Sequence, residues 1–443
     1  MRGSVSLENK PLVHVIGAGL AGVEASYQLA KRGIHVILHE MKKIKKSPAH
    51  SKDTFAELVC SNSFRSDSLH NAAGLLKEEL RMLDSLVIRC ADQTRVPAGT
   101  ALAVDRDLFS EECTKVISSH PLIEIVNEEV TTIPDGFVII ATGPLTGDTL
   151  FEEIKGITEE DTLYFFDAAA PIIEADSINF DIAYIKSRYD KGEATYINCP
   201  MSKEEYLNWY NELIHADCVI PKDYEMKVFE GCMPIEEMAK RGPQTLTFGP
   251  MKPVGLRKPD GKSAYAVVQL RQDNLSKSLY NVVGFQTHMK FGEQLRILRM
   301  IPGLEQANIV RYGVMHRNSY INAPKLINDV YQLKSFPRIF IAGQLSGVEG
   351  YVESVGSAMI ASINMARYVK GLPTISFPIE TAMGSQAHYL AHSDPLYFQP
   401  MNANFGIFPP LDSQYFKNAR KEMFAKRSIE KLRIFLEMNN LEQ

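Results

Sequence analysis

Apolar residues cluster in short runs separated by glycine, the spacing of an α/β chain. Leu12-Val13-His14-Val15-Ile16 reads as a buried strand running straight into Gly17-Ala18-Gly19-Leu20-Ala21-Gly22. A helix from Val23 to Lys31 follows and stops at Gly33, a natural C-terminal cap. A second strand, Ile34 to His39, ends at Glu40. Far downstream, Gly136-Phe137-Val138-Ile139-Ile140-Ala141-Thr142-Gly143 and Arg338-Ile339-Phe340-Ile341-Ala342-Gly343-Gln344 have the same form, a hydrophobic strand with a small-residue exit. Gly347-Val348-Glu349-Gly350-Tyr351 then leads into a helix, Ser354 to Val369, closed by Gly371 and Pro373. Between about Asp167 and Pro337 the pattern is mixed α+β. It holds an amphipathic helix from Glu204 to Ala216 with the only tryptophan, Trp209, a Gly/Pro-rich stretch from Thr245 to Ala266, and a strand from Tyr265 to Arg271.

The first fifty residues have the order strand, glycine turn, helix, strand, acid that a dinucleotide site requires. Gly17 allows the tight turn, Gly19 admits a pyrophosphate close to the backbone, and Gly22 lets helix and strand approach. The helix N-terminus offers N–H groups and a positive dipole end to phosphate. Glu40 is placed to accept hydrogen bonds from a ribose diol. A nucleotide fold that closes only near the C-terminus, with a second helix N-terminus, favours FAD over free NAD. The expected class is α/β: a FAD-binding Rossmann-like (glutathione-reductase-type) domain with an inserted α+β domain. The expected division is 1–167 for the first part of the FAD domain, 168–335 for the inserted substrate or RNA domain, and 336–443 for the second part with a C-terminal helix.

With 443 residues, 45% hydrophobic and 23% charged, the chain is too long for one simple core and ordinary in composition for a folded protein. Its formal charge of −5 excludes a generally basic nucleic-acid coat, so any polyanion must meet a local patch. Three basic clusters qualify: Lys42, Lys43, Lys45 and Lys46; Met238 to Ser263; and Lys417 to Arg433. No run of 18 apolar residues exists, and Met1 to Pro11 lacks an apolar signal core, so a cytoplasmic protein without a membrane span is expected. The six cysteines never come closer than 14 residues, which leaves no Cys-x-x-Cys redox pair and no local zinc knuckle. No metal site is expected.

Several longer blocks have no generic explanation. They include Glu-Leu-Val-Cys-Ser-Asn-Ser at 57–63, Asp-Ala-Ala-Ala-Pro at 167–171, Asn-Cys-Pro-Met at 198–201 and Phe-Glu-Gly-Cys-Met-Pro-Ile-Glu at 229–236. Thr-Phe-Gly-Pro-Met-Lys-Pro-Val-Gly-Leu at 247–256, Gly-Phe-Gln-Thr at 284–287, Arg-Tyr-Gly-Val-Met-His-Arg-Asn at 311–318 and Ala-Gly-Gln-Leu-Ser-Gly-Val-Glu-Gly-Tyr at 342–351 complete the set. In these blocks the chain resembles the flavin- and folate-dependent uridine-5-methyltransferases of bacteria, the TrmFO (Gid) family. The Cys-Ser-Asn-Ser and Glu-Gly-Cys-Met-Pro blocks set that family apart.

The resemblance implies that methylenetetrahydrofolate donates one carbon, that FAD relays and reduces it, and that NAD(P)H recharges the flavin. The implied acceptor is the uridine at position 54 in the T loop of tRNA, with a 23S rRNA uridine as the alternative target. Outside the resemblance, a non-methylating FAD oxidoreductase is the competing enzyme class, and a non-catalytic flavoprotein that binds RNA or a protein partner competes from outside enzymes. Carbon 5 of uracil is a poor nucleophile; a thiolate added at carbon 6 turns the ring into an enolate that attacks an electrophilic methylene. By resemblance Cys232 supplies that thiolate and Cys60 removes the carbon-5 proton or protects its partner, the two roles being open to exchange. Cys90, Cys113 and Cys218 carry no motif, and Cys199 is expected in a packing turn.

The cofactor residues expected are Gly17, Ala18, Gly19, Leu20, Ala21, Gly22, Glu40, Gly343, Gln344, Gly350 and Tyr351, the tyrosine stacking on the isoalloxazine. His288, with His316 as competitor, is the candidate to stack on the pterin. Arg241, Lys252, Arg257 and Arg317 are the RNA candidates, and Lys290 and Arg311 join Arg241 and Arg317 for the folate tail or RNA phosphates.

Overall fold

The computed structural model describes residues 11–47, 49–160, 163–190, 193–219, 233–412 and 416–441. Its first sheet is five-stranded and wholly parallel. It comprises β1 (Leu12–Ile16), β2 (His35–Glu40), β3 (Ile123–Asn127), β4 (Phe137–Ile140) and β5 (Ile339–Ile341), in the spatial order β5-β4-β1-β2-β3. The strands read as near-continuous apolar runs because both faces are covered, as parallel sheets require. The main covering helices are α1 (Leu20–Lys31) and α2 (Tyr351–Val369), which pack on each other beside the sheet. β5 arrives some 200 residues after β4, yet it completes the same sheet.

The helices begin earlier than the residue pattern suggests. α1 starts at Leu20 rather than Val23, with Gly19 as its N-cap, so Gly22 lies inside the first turn. A Cβ on Gly22 would fall 1.7 Å from the Gly17 carbonyl oxygen. Only glycine permits that approach, and it seats the helix N-terminus directly over the end of β1. α2 starts at Tyr351 rather than Ser354. Gly350 caps it at φ +112°, a conformation that β-carbon-bearing residues rarely adopt.

A second sheet of six strands has its own core. Its strand order runs Tyr184–Ile185, Tyr196–Met201, Ala266–Gln272, Leu279–Val282, Ile172–Glu174, Ile309–Arg311. Trp209 and Tyr206, on the helix Lys203–Ile214, are buried with Phe285, Ile197 and Leu270 in a cluster separate from the one around the parallel sheet. That helix is started by a full capping box of Ser202 and Glu205. The chain leaves and re-enters along an antiparallel ribbon, Leu163–Ala168 against Met315–Tyr320.

Cys199 departs from expectation: its block forms a strand, not a turn. Pro200 is tolerated there because the neighbouring strand pairs only as far as Ile197 and Asn198, leaving no ladder bond for the missing N–H. The basic cluster at 42–46 is also corrected. Lys42 is buried and donates to the Thr54 carbonyl, Lys45 pairs with Glu129 and Lys46 with Asp53, so little unmatched charge is left. No helix among the described residues is long and apolar enough to cross a membrane.

Gly22→Ala is expected to destabilise the protein by roughly 1–3 kcal/mol through overpacking against the Gly17 carbonyl. Calorimetric melting checks this, and an unchanged Tm refutes the claimed contact.

Candidate functional site

The C-terminal ends of β1, β2, β4 and β5 open onto one cleft, where ligands enter open parallel sheets. The cleft has two adjoining chambers that share Gly19, His50, Ala141, Thr142 and Leu145 in their walls. The smaller, about 80 Å³, is lined by Gly17, Gly19 and Glu40 with Thr146 and Gly147. The larger, about 340 Å³, is lined by Gly19, Leu20, Ala21, Gly343, Gln344, Gly350 and Tyr351. Both α1 and α2 therefore aim their N-termini into this cleft, two places where unsatisfied N–H groups and the helix dipole favour an anion.

Glu40 already has structural work. Its Oε2 accepts from the Ala18 N–H at 2.7 Å and its Oε1 from the Lys42 N–H at 2.9 Å, which pins the glycine turn to the end of β2. A carboxylate has about four acceptor sites, so each oxygen keeps one for a ribose hydroxyl. A Cβ at Gly19 would meet nothing within 4 Å, which marks open space at the turn where a pyrophosphate would lie. The glycine cradle, the acid at the β2 terminus and the two helix N-termini fit a dinucleotide as long as FAD.

Cys60 lines the larger chamber, at the head of a tightly held segment. The Cys60 and Ser61 N–H groups both donate to the Tyr351 hydroxyl, at 2.9 and 3.1 Å. Asn62, fully buried, donates to the carbonyls of Val104 and Gln272, which ties this segment to the inserted sheet. Arg106 reaches the Leu58 carbonyl at 2.6 Å, and Arg311 the Val59 carbonyl at 2.8 Å. Tyr351 packs its ring on Phe64, with centroids 5.7 Å apart, and its hydroxyl is spent on the cysteine loop. Burial raises the tyrosine pKa, so the hydroxyl stays neutral.

The other cysteines stand apart from this wall. Cys90 and Cys113 are buried together; the hydrogen bond of the Cys113 thiol with Cys90, then burial, pushes that thiol up. Burial pushes the Cys199 and Cys218 thiols up to about 12, which leaves them inert. Cys232 lies outside the described residues, as do the side chains of His316 and Arg317.

His288 is not in the cavity wall. Its ring is buried, with Nδ1 3.0 Å from Glu236 Oε1. Glu236 also accepts from the His288 N–H at 2.7 Å and the Thr287 hydroxyl at 2.9 Å. Stacking on a pterin would require this ring to abandon a buried carboxylate, so the geometry places His288 in the framework behind Gln286, which does line the chamber. Cys218 comes within 4.8 Å of the same pair, but donors already hold both Glu236 oxygens.

Arg241 and Arg257 are exposed, Lys252 is half-buried, and none of the three lines the cleft. Lys290 pairs with Asp217 at the surface, and Arg311 is occupied by backbone carbonyls. Residue patterns missed Asn62, Arg271, Gln286 and His50 as wall or framework groups. Arg271 had one visible signal: it falls on the polar phase of the alternation along Ala266–Gln272.

A parallel sheet ending in a glycine cradle, with Arg271 of the second sheet reaching the same cleft, defines a dinucleotide-binding enzyme of the flavoprotein type. The solved fold of Aquifex aeolicus GidA is similar, with a TM-score of 0.70 at 16% identity over 97% of this chain and 74% of that one. Residues 12–373 match the family model described as glucose inhibited division protein A. Relatives named methylenetetrahydrofolate–tRNA-(uracil-5-)-methyltransferase TrmFO are much closer in sequence. The one from Anoxybacillus flavithermus is 58% identical over 427 residues, 96% of this chain and 99% of its own length. Those from Lysinibacillus sphaericus and Bacillus licheniformis are each 57% identical over 96% and 95% of this chain, and 98% of their own lengths. The chain belongs to the TrmFO family.

Two predictions follow from this geometry. Tyr351→Phe leaves the Cys60 and Ser61 N–H groups without their acceptor and is expected to cost about 1–3 kcal/mol; a urea midpoint equal to wild type would show that the hydroxyl is dispensable. His50 borders both chambers, and burial, then the Lys42 charge, holds its pKa down at about 4. It is neutral when folded and protonated when unfolded between about 6.5 and 4, so stability falls as pH drops through that window. Urea titrations at several pH values should show a flatter acid-side decline in His50→Gln.

Proposed function

We propose that this chain methylates carbon 5 of uridine in tRNA, at position 54 of the T loop. The methylene comes from 5,10-methylenetetrahydrofolate, and FAD held in the cleft is reduced by NAD(P)H. The observation that carries this reading is the position of Cys60. It stands in the wall of the chamber that both helix N-termini face, with its backbone held by the residue that opens α2. The family relatives, named for this reaction and matched over nearly their whole length, support it.

Bound FAD, once reduced, would supply the hydride that turns methylene into methyl. The residues supply position and proton handling. Gly17 to Gly22 and Glu40 would hold the dinucleotide end, and Gly343, Gln344 and Gly350 line the chamber that would take the ring. Tyr351 holds Cys60 at the wall, where its sulfur removes the carbon-5 proton or adds to carbon 6, with Cys232 as the partner thiol. The protein acts in the cytoplasm, where folate, NAD(P)H and tRNA meet.

Enzyme incubated with labelled methylenetetrahydrofolate, NADPH and unmodified tRNA is expected to place label at carbon 5 of uridine 54. Label found only with 23S rRNA would move the target, and NADPH oxidation independent of folate and RNA would replace the reading by a plain oxidoreductase. Cys60→Ala is expected to lower methyl transfer by roughly 10²–10⁴-fold while retaining FAD. Unchanged turnover in that variant removes Cys60 from the chemistry.

A further inference from the structure

Arg271 lies near the end of the strand Ala266–Gln272 and lines the larger chamber beside Cys60 and Ser61. Its Nη2 donates to Ser61 Oγ at 2.7 Å and its Nε to Asn62 Oδ1 at 3.1 Å. Both acceptors are neutral. Among the described residues, no carboxylate is within ion-pair distance of this guanidinium. Asp273, two residues on, is bound by Arg106, whose Nε lies 3.0 and 2.9 Å from its two oxygens. Arg65, in the same wall, is matched by Glu353.

Arginine stays charged in proteins; burial pulls this pKa down from its high ordinary value, and the more distant charge of Asp273 offsets that only in part. A guanidinium has five donors, and two are used here. Removing a cation from water costs several kcal/mol per ion unless an anion arrives to match it. The chamber therefore has a charge to be answered by whatever fills it.

The charged parts of folate and RNA are an unsuitable match. Glutamate carboxylates and phosphates hang on flexible chains, and the reactive rings, not those charges, must reach Cys60. A flavin differs, because hydride transfer from NAD(P)H leaves NAD(P)⁺ and a reduced ring that itself bears the negative charge. We propose that Arg271 is the positioning cation that stabilises anionic reduced flavin over the neutral oxidised form. This rests on the reading of the cleft as a FAD site.

The test is the midpoint potential of the FAD-loaded protein, measured against reference dyes. Arg271→Gln keeps amide donors and loses the charge. Its preference for reduced over oxidised flavin is expected to fall at least tenfold, about 30 mV more negative for a two-electron couple. Arg271→Lys keeps the charge and is expected to stay within about threefold of wild type by the same relation. Equal shifts in both variants would make the residue a structural fork, and no shift in either would remove it from flavin tuning; each result overturns the proposal. Should Arg271→Gln not fold, Arg271→His compared with wild type at pH 5.5 and pH 8 poses the same charge question within one protein. Wild-type protein that takes up no FAD overturns the cleft reading itself, whereas FAD bound with unmoved potentials overturns only the role of Arg271.

Discussion

The Gly17 carbonyl occupies the space in which any other residue at position 22 would place its β-carbon. That single close approach sets the depth at which α1 rides on the parallel sheet. A β-carbon there would force the helix and the Gly17–Gly19 turn apart, the turn whose Ala18 N–H is bound by Glu40. The local chemistry of the nucleotide end depends on a backbone-to-backbone contact rather than on any catalytic side chain.

The other end of the cleft is held differently. The segment around Cys60 has little secondary structure of its own, and its position is set by partners far away in the chain. Tyr351 takes two of its N–H groups, Arg106 and Arg311 take its carbonyls, and Asn62 bridges to Gln272 in the inserted sheet. An irregular segment carrying buried polar groups must find such partners, because each one left unmatched costs about 1–3 kcal/mol. The same bonds that satisfy the backbone hold the sulfur at the cavity wall, so stability and placement of the thiol are coupled there.

The two hydrophobic cores are tied together at this segment. Arg106 on one side is neutralised by Asp273 on the other, and Arg271 of the inserted sheet reaches Ser61 and Asn62 of the nucleotide part. Charge and hydrogen bonding thus lock the relative placement of the two cores where the chemistry is proposed. Within the second core, the bonds of Thr287 and His288 to Glu236 brace the stretch that carries Gln286 to the chamber wall.

Strand, glycine turn, helix and acid were legible in the residues because each rests on local rules: apolar period, glycine tolerance and helix capping. The family was legible for the same reason, in contiguous blocks such as Cys-Ser-Asn-Ser. Helix starts were displaced by three residues because Gly19 and Gly350 act as caps, which depends on how the turn packs. The pairing of His288 with Glu236 was not legible either, since nothing in Gly-Phe-Gln-Thr-His announces a buried carboxylate from residue 236. Lys42 was counted as surface charge, although folding buries its stem and directs its ammonium to a carbonyl. Sequence alone determined which segments form the sheet and which glycines shape its edge, because those preferences act within a few residues. Only tertiary structure decided that Cys60, Arg271 and Tyr351 share one wall, because hydrogen bonds between residues 210 and 291 positions apart in the chain have no local signature.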